Sequence, residues 1–375
     1  MDFYLEKSPR PYRINRVETI RTPQLLVFED RVERNIEAMR RLLANLEPPL
    51  GLDALCPHVK THKSIWTTKK LAAAGISFFK STLNELQMLA DAGAKRIFIA
   101  YPLLPNDVEQ VAEFAEARPD LDLYVQAGHP QHLEYLCRLP VRWNVLIDVN
   151  VGMDRTGCPP EKAWDLYLML RGCRNVEFAG LHAYDGHVHQ RSETERFAQA
   201  QASMSQVIRL VRRFAAAGAP PPMTIVAGTP AFLSDAQILG SAALPTRVYF
   251  SPGTWVYSDS LTDELLPGVF ETAAVLLAQV IDRPAPGKIT LNIGHKRWGA
   301  DQGPIERFSV PGMKALSWSE EHTVVAVPTS TTLDIGDYVV AAPRHVCSTI
   351  NLWETFLLID REGNCTELPI DARNR

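Results

Sequence analysis

The chain has 375 residues, of which 46% are hydrophobic and 22% are charged, as is usual for a globular protein. A formal net charge of -4 excludes the broad basic excess that nucleic-acid-binding domains carry. The stretch VFETAAVLLAQVI is interrupted by Glu271, Thr272 and Gln279 and is too short to cross a bilayer. The N-terminus lacks the apolar core of a signal peptide, and six widely spaced cysteines indicate neither a disulfide scaffold nor a zinc ribbon. We therefore expect a cytoplasmic protein without nucleic-acid or membrane partners.

The predicted elements begin with TPQLLVFEDRVERNIEAMRRLLA, which indicates one strand followed by one helix. Short apolar runs then alternate with amphipathic stretches, and the runs are DALCPHVK, ISFFKS, RIFIAY, LDLYVQA, NVLIDVNV, VEFAGLHAY, MTIVAG and TRVYFSPG. Between two of them, Thr82 and Glu85 form a capping-box pattern at a helix start. A later helix is predicted over SETERFAQAQASMSQVIRLVRRFAAAGA, with an acidic start, a basic end and Gly218 as its stop.

The alternation of continuous apolar strands with helices indicates a parallel sheet. Eight such units match a (β/α)8 barrel, which usually has about 250 residues. An open doubly wound sheet is the alternative, but its glycine-rich fingerprint after the first strand is missing. Beyond about residue 265 the chain changes to short β-like runs separated by proline, glycine and aspartate. We therefore predict an α/β fold, with a TIM barrel over 25–265 and an all-β domain formed by 266–375 together with 1–24.

The stretch CPHVKTHKSIW concentrates side chains that can do chemistry. Lys60 ends the first predicted strand, and functional groups of such barrels lie at the C-terminal ends of the strands. A lysine held away from water can form a Schiff base with an aldehyde. A solvated surface lysine is the ordinary alternative. A zinc site at His58 and His62 is another, although the pair lacks an HExxH pattern and an acidic third ligand nearby.

The loops after the later predicted strands contain residues suited to a phosphate. AGTPAF carries Gly228 and Thr229 after the seventh run, and SPGTW carries Gly253 and Thr254 after the eighth. Glycine permits close backbone approach, and amides with hydroxyls donate hydrogen bonds to a phosphate. Phosphate sites of such barrels recur in these two loops, although Gly-Thr is also common in ordinary turns. After the fifth run, DVNVGMDRTGC would project Arg155 over the same end, unless it is a plain surface arginine.

Together, HVKTHK, GMDRTG, AGTP and SPGT resemble the fold-type III pyridoxal-phosphate enzymes, the alanine-racemase-like barrels. Within them the chain is most similar to the group of D-threonine aldolases and D-serine dehydratases, from TPQLLVFEDRVERNI to RHVCSTINL. The resemblance implies a set of residues that bind pyridoxal 5'-phosphate: Lys60 as the Schiff-base lysine, Arg155 at the phenolic oxygen, Tyr184 in the pocket, and Thr229, Gly253 and Thr254 at the phosphate.

One departure from the racemases concerns the loop after the eighth run. Racemases have an arginine before its Pro-Gly, facing the pyridine nitrogen, and this chain has Ser251. A protein group at that nitrogen tunes the electron demand of the cofactor. Serine at this position therefore argues against an amino-acid racemase.

A second departure lies in PRHVCSTINL. If this segment is extended, His345 and Cys347 point to one face, and imidazole nitrogen with thiolate sulfur suits a cation such as zinc. A chance histidine and a buried cysteine are the ordinary alternative. The resemblance implies that the pair binds a divalent metal, Zn, Mn or Mg, beside the cofactor. Asp301 is a further acidic candidate in a loop where the family has one, although a surface aspartate explains it equally well.

The two reactions in this group differ in which bond breaks. The pattern His-x-Cys resembles the dehydratases, whereas AYDGH resembles the aldolases, and His187 and His189 after it are candidates for a catalytic histidine. The resemblance implies a lyase on β-hydroxy-D-amino acids, with retro-aldol cleavage to glycine and an aldehyde ahead of D-serine or 3-hydroxy-D-aspartate dehydration to a keto acid and ammonia. A racemase and a pyridoxal-phosphate-binding protein without turnover are the remaining alternatives, and the latter lack an appended β domain. Relatives with that domain commonly pair two chains, so we expect a homodimer.

Overall fold

The structure, a computed structural model, describes residues 1–373. The strands are β1 Asp2–Phe3, β2 Tyr12–Arg13, β3 Gln24–Phe28, β4 Phe78–Ser81, β5 Arg96–Pro102, β6 Asp122–Ala127, β7 Trp143–Asp148, β8 Val176–Ala183, β9 Met223–Val226, β10 Arg247–Phe250, β11 Ala274–Ala285, β12 Lys288–Leu291, β13 Arg307–Phe308, β14 Lys314–Trp318, β15 Thr323–Ala326, β16 Tyr338–Ala342, β17 Thr355–Ile359 and β18 Cys365–Pro369. The α-helices are α1 Glu29–Ala44, α2 Ile65–Ala73, α3 Leu86–Asp91, α4 Pro105–Ala117, α5 Pro130–Cys137, α6 Ala163–Arg171, α7 Glu193–Ala216, α8 Phe232–Gly240, α9 Ser260–Leu265 and α10 Val346–Ile350.

One compact unit, residues 39–60 and 65–253, is built on a parallel sheet. Its seven strands follow the order β10-β9-β8-β7-β6-β5-β4, and every neighbouring pair is parallel. Helices α3 to α8 connect the consecutive strands, as parallel pairing requires. Phe78, Phe98 and Ile225 are fully buried in one apolar cluster among these strands. The parallel α/β architecture is confirmed, together with seven of the eight predicted strands.

The first of the eight predicted strands, DALCPHVK, does not form a strand, so this prediction was wrong. It contains 3-10 turns at Leu52–Ala54 and Val59–Thr61, with a short bridging segment, residues 55–58, between them. In this bridging segment Leu55 pairs with Phe250 and His58 pairs with Lys80, one position on each edge strand of the sheet. The physical reason lies at residue 57, since proline has no N–H to donate to a continuous ladder.

The predicted helix boundaries in this unit agree closely with the structure. Thr82 and Glu85 form the capping box, with Glu85 Oε2 accepting from the Thr82 N–H at 2.6 Å. Ser192 caps the start of α7, since its side chain accepts a hydrogen bond from the Glu195 N–H. Gly218, with φ of 77°, follows the end of α7 in the left-handed conformation that favours glycine.

The other compact unit, residues 1–38, 61–64 and those from 254 onward, contains a mixed β-sheet. Its order is β14-β15-β12-β11-β3-β17-β18, and β16 pairs with both β11 and β13. The early strand β3 pairs antiparallel with β11 and parallel with β17. A β-rich region beyond residue 265 is thus confirmed, while the domain boundaries at 25, 265 and 266 stay a prediction.

One disulfide joins two neighbouring helices of the parallel-sheet unit. Cys137, at the end of α5, and Cys173, just after α6, form a disulfide. The 36-residue separation of the two cysteines gave no sign of this pairing, which depends on how α5 and α6 pack.

Across residues 1–373, no helix combines the length and the apolarity that a membrane span requires.

Candidate active site

Lys60 lies in the 3-10 turn Val59–Thr61, directly after the bridging segment, and not at the end of a strand. The half-buried lysine donates its backbone N–H to Nδ1 of His58 at 3.2 Å. Because the bridging segment pairs with both edges of the parallel sheet, this turn is held at the C-terminal ends of β4 and β10. The location at the functional end of the strands therefore agrees with the prediction, although the local conformation differs.

The alternative of a zinc site at His58 and His62 gains no support from the geometry. His62 is buried, and its Nδ1 accepts the Ser64 N–H at 3.2 Å. Burial lowers the pKa of His62 to about 3, so its imidazole is neutral. Within residues 1–373, no three His, Cys, Asp or Glu side chains are grouped so as to hold a metal ion.

Tyr184, after β8, has a half-buried ring that is flanked by two cationic side chains. The Arg155 guanidinium carbon lies 5.0 Å from the ring centroid and Lys80 Nζ lies 4.8 Å from it. The backbone at Gly228 lies so close to the Tyr184 ring that a Cβ atom on residue 228 would be 3.3 Å from a ring carbon. Tyr184, Arg155 and Gly228, which the sequence predicted separately, are therefore brought together.

The other predicted phosphate-binding residues lie in the loops after β9 and β10. Thr229 is 6% exposed and follows Gly228 directly, and Gly253 is buried three residues after β10. Thr254 is half-buried and begins a 3-10 turn, Thr254–Val256. These loops follow the two strands as predicted, but the binding of a phosphate by them stays a prediction.

A chain of buried polar side chains begins at Lys80, beside the Tyr184 ring, and sequence reasoning did not identify it. Lys80 Nζ lies 2.8 Å from His182 Nε2, and His182 Nδ1 lies 2.7 Å from Asp148 Oδ1. Gln126 Nε2 donates to the other oxygen of Asp148 at 3.3 Å. Since the carboxylate accepts at Nδ1, the imidazole carries its proton there and Nε2 accepts from Lys80.

The charges in this chain follow from its burial. Burial lowers the pKa of Lys80 to about 7. Burial, together with the charge of Lys80, lowers the pKa of His182 to about 4, so the imidazole stays neutral. Burial disfavours the charge of Asp148 as well, but the hydrogen bond from His182 holds the pKa of this carboxyl below its ordinary value. A neutral imidazole therefore separates a buried carboxylate from a buried amine.

Ser251, the residue that replaces the racemase arginine, is buried beside this chain. Its hydroxyl can donate to the carbonyl oxygens of Ala227 at 2.8 Å and Val226 at 3.1 Å. Lys80 Nζ donates to the same hydroxyl oxygen at 3.1 Å. The serine side chain is thus engaged with a cation from another strand.

The segment that holds His345 and Cys347 is helical, so the prediction of an extended segment was wrong. His345 is the residue before α10, with φ of -134° and ψ of 107°, and Cys347 is the second residue of the helix. The cause is a cap from elsewhere in the chain, since Asp259 Oδ2 accepts the Val346 N–H at 2.9 Å. The side chains of His345 and Cys347 nevertheless interact electrostatically, while metal binding by the pair stays a prediction.

Asp301 fixes the orientation of His345. Its Oδ2 lies 2.5 Å from His345 Nδ1, while its Oδ1 accepts from the Ser348 hydroxyl at 2.5 Å. Burial opposes the positive charge of His345, but the hydrogen bond and charge of Cys347 raise the pKa of this histidine to about 9. A carboxylate bonded to one ring nitrogen of a histidine is a usual partner of a metal-ligating imidazole.

Two threonine hydroxyls contact the sulfur of Cys347. Thr61 Oγ1 lies 3.2 Å from Sγ and Thr254 Oγ1 lies 3.8 Å from it. Thr61 follows Lys60 in the chain, and Thr254 follows Gly253. The residues next to the predicted covalent lysine and the predicted phosphate loop therefore both reach the same thiol.

His187 and His189 differ in their surroundings. His187 Nε2 lies 3.4 Å from Ser203 Oγ, and a Cβ on Gly152 would lie 3.0 Å from the same nitrogen. His189 is exposed, with Nδ1 3.3 Å from the Gly186 carbonyl oxygen. The structure thus packs one histidine tightly and leaves the other accessible to solvent.

Some of the residues that sequence reasoning missed do carry a signal. Lys80, His182 and Asp148 each interrupt an apolar strand near its end, in ISFFKS, VEFAGLHAY and NVLIDVNV. Charged and polar residues in strands that are buried on both faces are rare and point to a function. Thr61 carried no comparable signal, because its contact with Cys347 joins residues 286 positions apart.

Comparisons with known proteins match this chain to two family models and to two curated relatives. A family model described as "Alanine racemase, N-terminal domain" matches residues 27–257, and one described as "Putative serine dehydratase domain" matches residues 273–359. The chain is 27% identical over 369 residues to a D-threonine aldolase from Arthrobacter sp, which covers 94% of this chain and 92% of the aldolase. It is 24% identical over 382 residues to a D-threo-3-hydroxyaspartate dehydratase from Delftia sp. (strain HT23), covering 92% and 96% of the two chains.

The fold is likewise similar to that of a solved relative. The crystal structure of D-threonine aldolase from Filomicrobium marinum matches with a TM-score of 0.85 and 25% sequence identity, over 98% of this chain and 99% of that one. The first family model spans more than half of the present chain. The protein therefore belongs to the family of the alanine racemase N-terminal domain and has the fold-type III architecture of pyridoxal-phosphate enzymes.

Proposed function

We propose that this protein is a lyase that cleaves β-hydroxy-D-amino acids to glycine and an aldehyde, using pyridoxal 5'-phosphate and a divalent metal ion. The observation that carries the proposal is the contact between Thr61 and Cys347, with 3.2 Å between hydroxyl and sulfur. The residue bonded to the proposed covalent lysine thus touches a proposed metal ligand. Similarity to an aldolase along most of the chain supports the same conclusion.

The residues on the parallel-sheet unit fit the cofactor in their chemistry. Gly228 leaves beside the Tyr184 ring a space that a side chain would fill, and Arg155 brings a cation to the same ring. Lys60 would bind the cofactor covalently, and Thr229, Gly253 and Thr254 would donate hydrogen bonds to its phosphate. When bound, pyridoxal phosphate supplies an electron sink for negative charge at the substrate Cα.

The proposed metal ligands are His345 and Cys347, whose nitrogen and sulfur donors fit Zn and, less closely, Mn or Mg. Since residues 1–373 offer no third grouped side-chain ligand, the remaining positions would be left for water and substrate. Asp301 holds His345 in the required orientation through Nδ1. A divalent ion at this pair supplies a Lewis acid that increases the acidity of the substrate β-hydroxyl.

A retro-aldol cleavage also needs a group that accepts the β-hydroxyl proton. We assign this role to His189, because it is exposed and its Nε2 is available, while Nδ1 faces the Gly186 carbonyl. His187 is the less suitable of the two, since Ser203 and the backbone at Gly152 enclose its Nε2. A neutral imidazole is a competent general base near neutral pH.

Dehydration to a keto acid and ammonia is the second candidate function. The observation that favours it is Cys347 itself, since His-x-Cys resembles the dehydratases of the group and the chain is similar to one of them. In that reaction Lys60 would remove the proton from Cα, and the β-hydroxyl would leave as water. The two reactions therefore yield different products from one substrate.

The test is an assay of the purified protein with pyridoxal phosphate and, separately, Zn, Mn or Mg. D-Threonine, D-serine and D-threo-3-hydroxyaspartate are the substrates, and L-threonine is the matched stereochemical control. Acetaldehyde with glycine from D-threonine is the expected result. Keto acid with ammonia would replace the aldolase assignment by the dehydratase one. No product with any of the three D-amino acids would contradict both.

We further propose that the bridging segment closes the parallel sheet into a barrel in place of an eighth strand, and that the protein forms a homodimer. The pairing of Leu55 and His58 with opposite edge strands supports the closure. Slow hydrogen exchange at the Cys56 and Lys80 amides would support it further, since these amides donate to Phe250 and Pro57 across the two edges. Light scattering on the purified protein tests the dimer.

A further inference from the structure

Lys80 connects the two edges of the parallel sheet through side chains. It lies on β4, one edge strand, and Ser251 follows β10, the other edge strand. Their side chains are nevertheless 3.1 Å apart, between Nζ and Oγ. The lysine is 4% exposed, so this contact lies in the interior of the unit.

The hydrogen-bond directions at Lys80 are fixed by its neighbours. Ser251 donates its single proton to a backbone carbonyl, that of Ala227 at 2.8 Å being the nearer, so its oxygen accepts from Lys80. His182 Nε2 also accepts, because Nδ1 donates to Asp148. An amine and an ammonium group both have the two N–H donors that these contacts need. The arrangement therefore holds in either protonation state of the lysine.

We propose that Lys80 is a positioning residue for the cofactor, an inference that rests on the proposed function. Through Ser251 it holds the chain two residues before Gly253, in the loop assigned to the phosphate. Through its position 4.8 Å from the ring centroid it supports Tyr184 from one side. Lys80 thus links the phosphate loop after β10 to the ring that lines the pocket after β8.

The cost of burying a lysine supports a role in positioning over one in packing. An amine removed from water is unfavourable unless it is hydrogen-bonded, and an apolar side chain of similar length would fill the same space at lower cost. Both side-chain hydrogen bonds of Lys80 cross the interior of the unit to residues at the ends of distant strands, His182 on β8 and Ser251 after β10. The side chain thus determines the arrangement of the strand ends that carry the pocket.

The experiment compares cofactor binding by the holoenzyme and its variants. We expect Lys80→Met to raise the dissociation constant of pyridoxal phosphate by about 10-fold or more, because hydrogen bonds to charged groups contribute at that level. The visible circular dichroism band of the bound cofactor should weaken as well, since it reports the asymmetry of the pocket. Lys69→Met, the same substitution at an exposed lysine, should leave both unchanged.

A double-mutant cycle separates positioning from general destabilisation. Ser251→Ala removes the acceptor. If Lys80 acts through Ser251, the double variant should raise the dissociation constant by less than the product of the two single fold-changes. Independent, multiplying effects would overturn the proposal, as would a normal dissociation constant and band in Lys80→Met. If Lys80→Met does not fold, Lys80→Gln takes its place in the cycle. A failure of the unsubstituted protein to bind the cofactor would overturn the proposed function together with this inference.

Discussion

Asp185 and Asp235 are fully buried and their carboxyl groups interact with each other, one after β8 and the other on α8. Among the described residues, no donor stands in hydrogen-bond geometry to any of their four oxygens. Burial raises the pKa of both groups, and that of Asp235 well above its ordinary value, where the charge of Asp185 adds to the effect. The acid form is therefore favoured in this pair, and more strongly at Asp235 than at Asp185.

Asp235→Asn is expected to stabilise the protein at pH 8 by about 1–3 kcal/mol, since the amide gives Asp185 a permanent donor. The sign follows from the raised pKa of Asp235. The acid contributes its full stability below its unfolded pKa, and this contribution is lost as pH rises through the folded pKa. The advantage of the amide should therefore shrink as pH falls toward about 4. Thermal unfolding between pH 4 and pH 8 measures it.

Asp165→Asn is the matched control, because Asp165 is exposed and pairs only at the surface with Lys162. Its melting temperature should follow that of the unsubstituted protein across the range. A change of stability in Asp235→Asn that is the same at every pH would contradict the raised pKa of Asp235.

Lys60→Ala should remove the visible absorbance of bound pyridoxal phosphate together with turnover, since no other group is assigned the covalent bond. The neighbouring exposed lysine offers the comparison, and Lys69→Ala should keep both. Absorbance that persists in Lys60→Ala after removal of free cofactor would assign the covalent bond to a different lysine. Absorption spectra after gel filtration are sufficient.

Replacement of the two histidines separates their roles. His189→Gln should lower kcat for retro-aldol cleavage by about 10²–10⁴-fold, the usual contribution of a general base, with the cofactor spectrum intact. His187→Gln should act mainly on stability, because His187 packs against Ser203 and Gly152. Steady-state kinetics and thermal unfolding of both variants check this assignment. A larger loss of kcat in His187→Gln would reverse it.

Asp301→Asn should weaken metal binding by about 10–100-fold, the usual effect of removing a carboxylate that orients a histidine ligand. Cofactor absorbance should be unaffected, since Asp301 contacts His345 and Ser348. Asp334→Asn, at an exposed aspartate, serves as the control. Titration with Zn and Mn under competition with a chelator measures the affinities. Equal affinities in the two variants would contradict the role of Asp301.

Local patterns were sufficient for most of the parallel-sheet unit. Apolar runs of four to eight residues between amphipathic stretches predict buried strands because both faces must be covered, and seven of them are strands. The capping box at Thr82 and the stop at Gly218 depend on neighbouring residues alone, so they were predictable. The failure at DALCPHVK has a local cause as well, since Pro57 interrupts the ladder.

Other features depend on contacts between distant parts of the chain. The helical start at Val346 depends on Asp259, which lies 87 residues earlier, and local sequence around His345 and Cys347 gave no sign of this cap. The pair was identified through the resemblance, not through its conformation. The buried chain from Lys80 to Asp148 was visible as polar residues in apolar strands, but its connections required the order of the strands. Hence the sequence could indicate which residues belong to the site, whereas the contacts between these residues required the structure.

The bridging segment has a consequence for the solution behaviour of the protein. An uncovered strand edge presents unpaired N–H and C=O groups, to which another chain can add. Here the carbonyl of Phe250 accepts from Cys56 at 2.7 Å and the amide of Lys80 donates to Pro57 at 3.0 Å, so one short segment occupies both edges of the sheet. Substitutions that loosen residues 55–58 would therefore expose two edges at once and promote aggregation, as well as displacing the turn that carries Lys60.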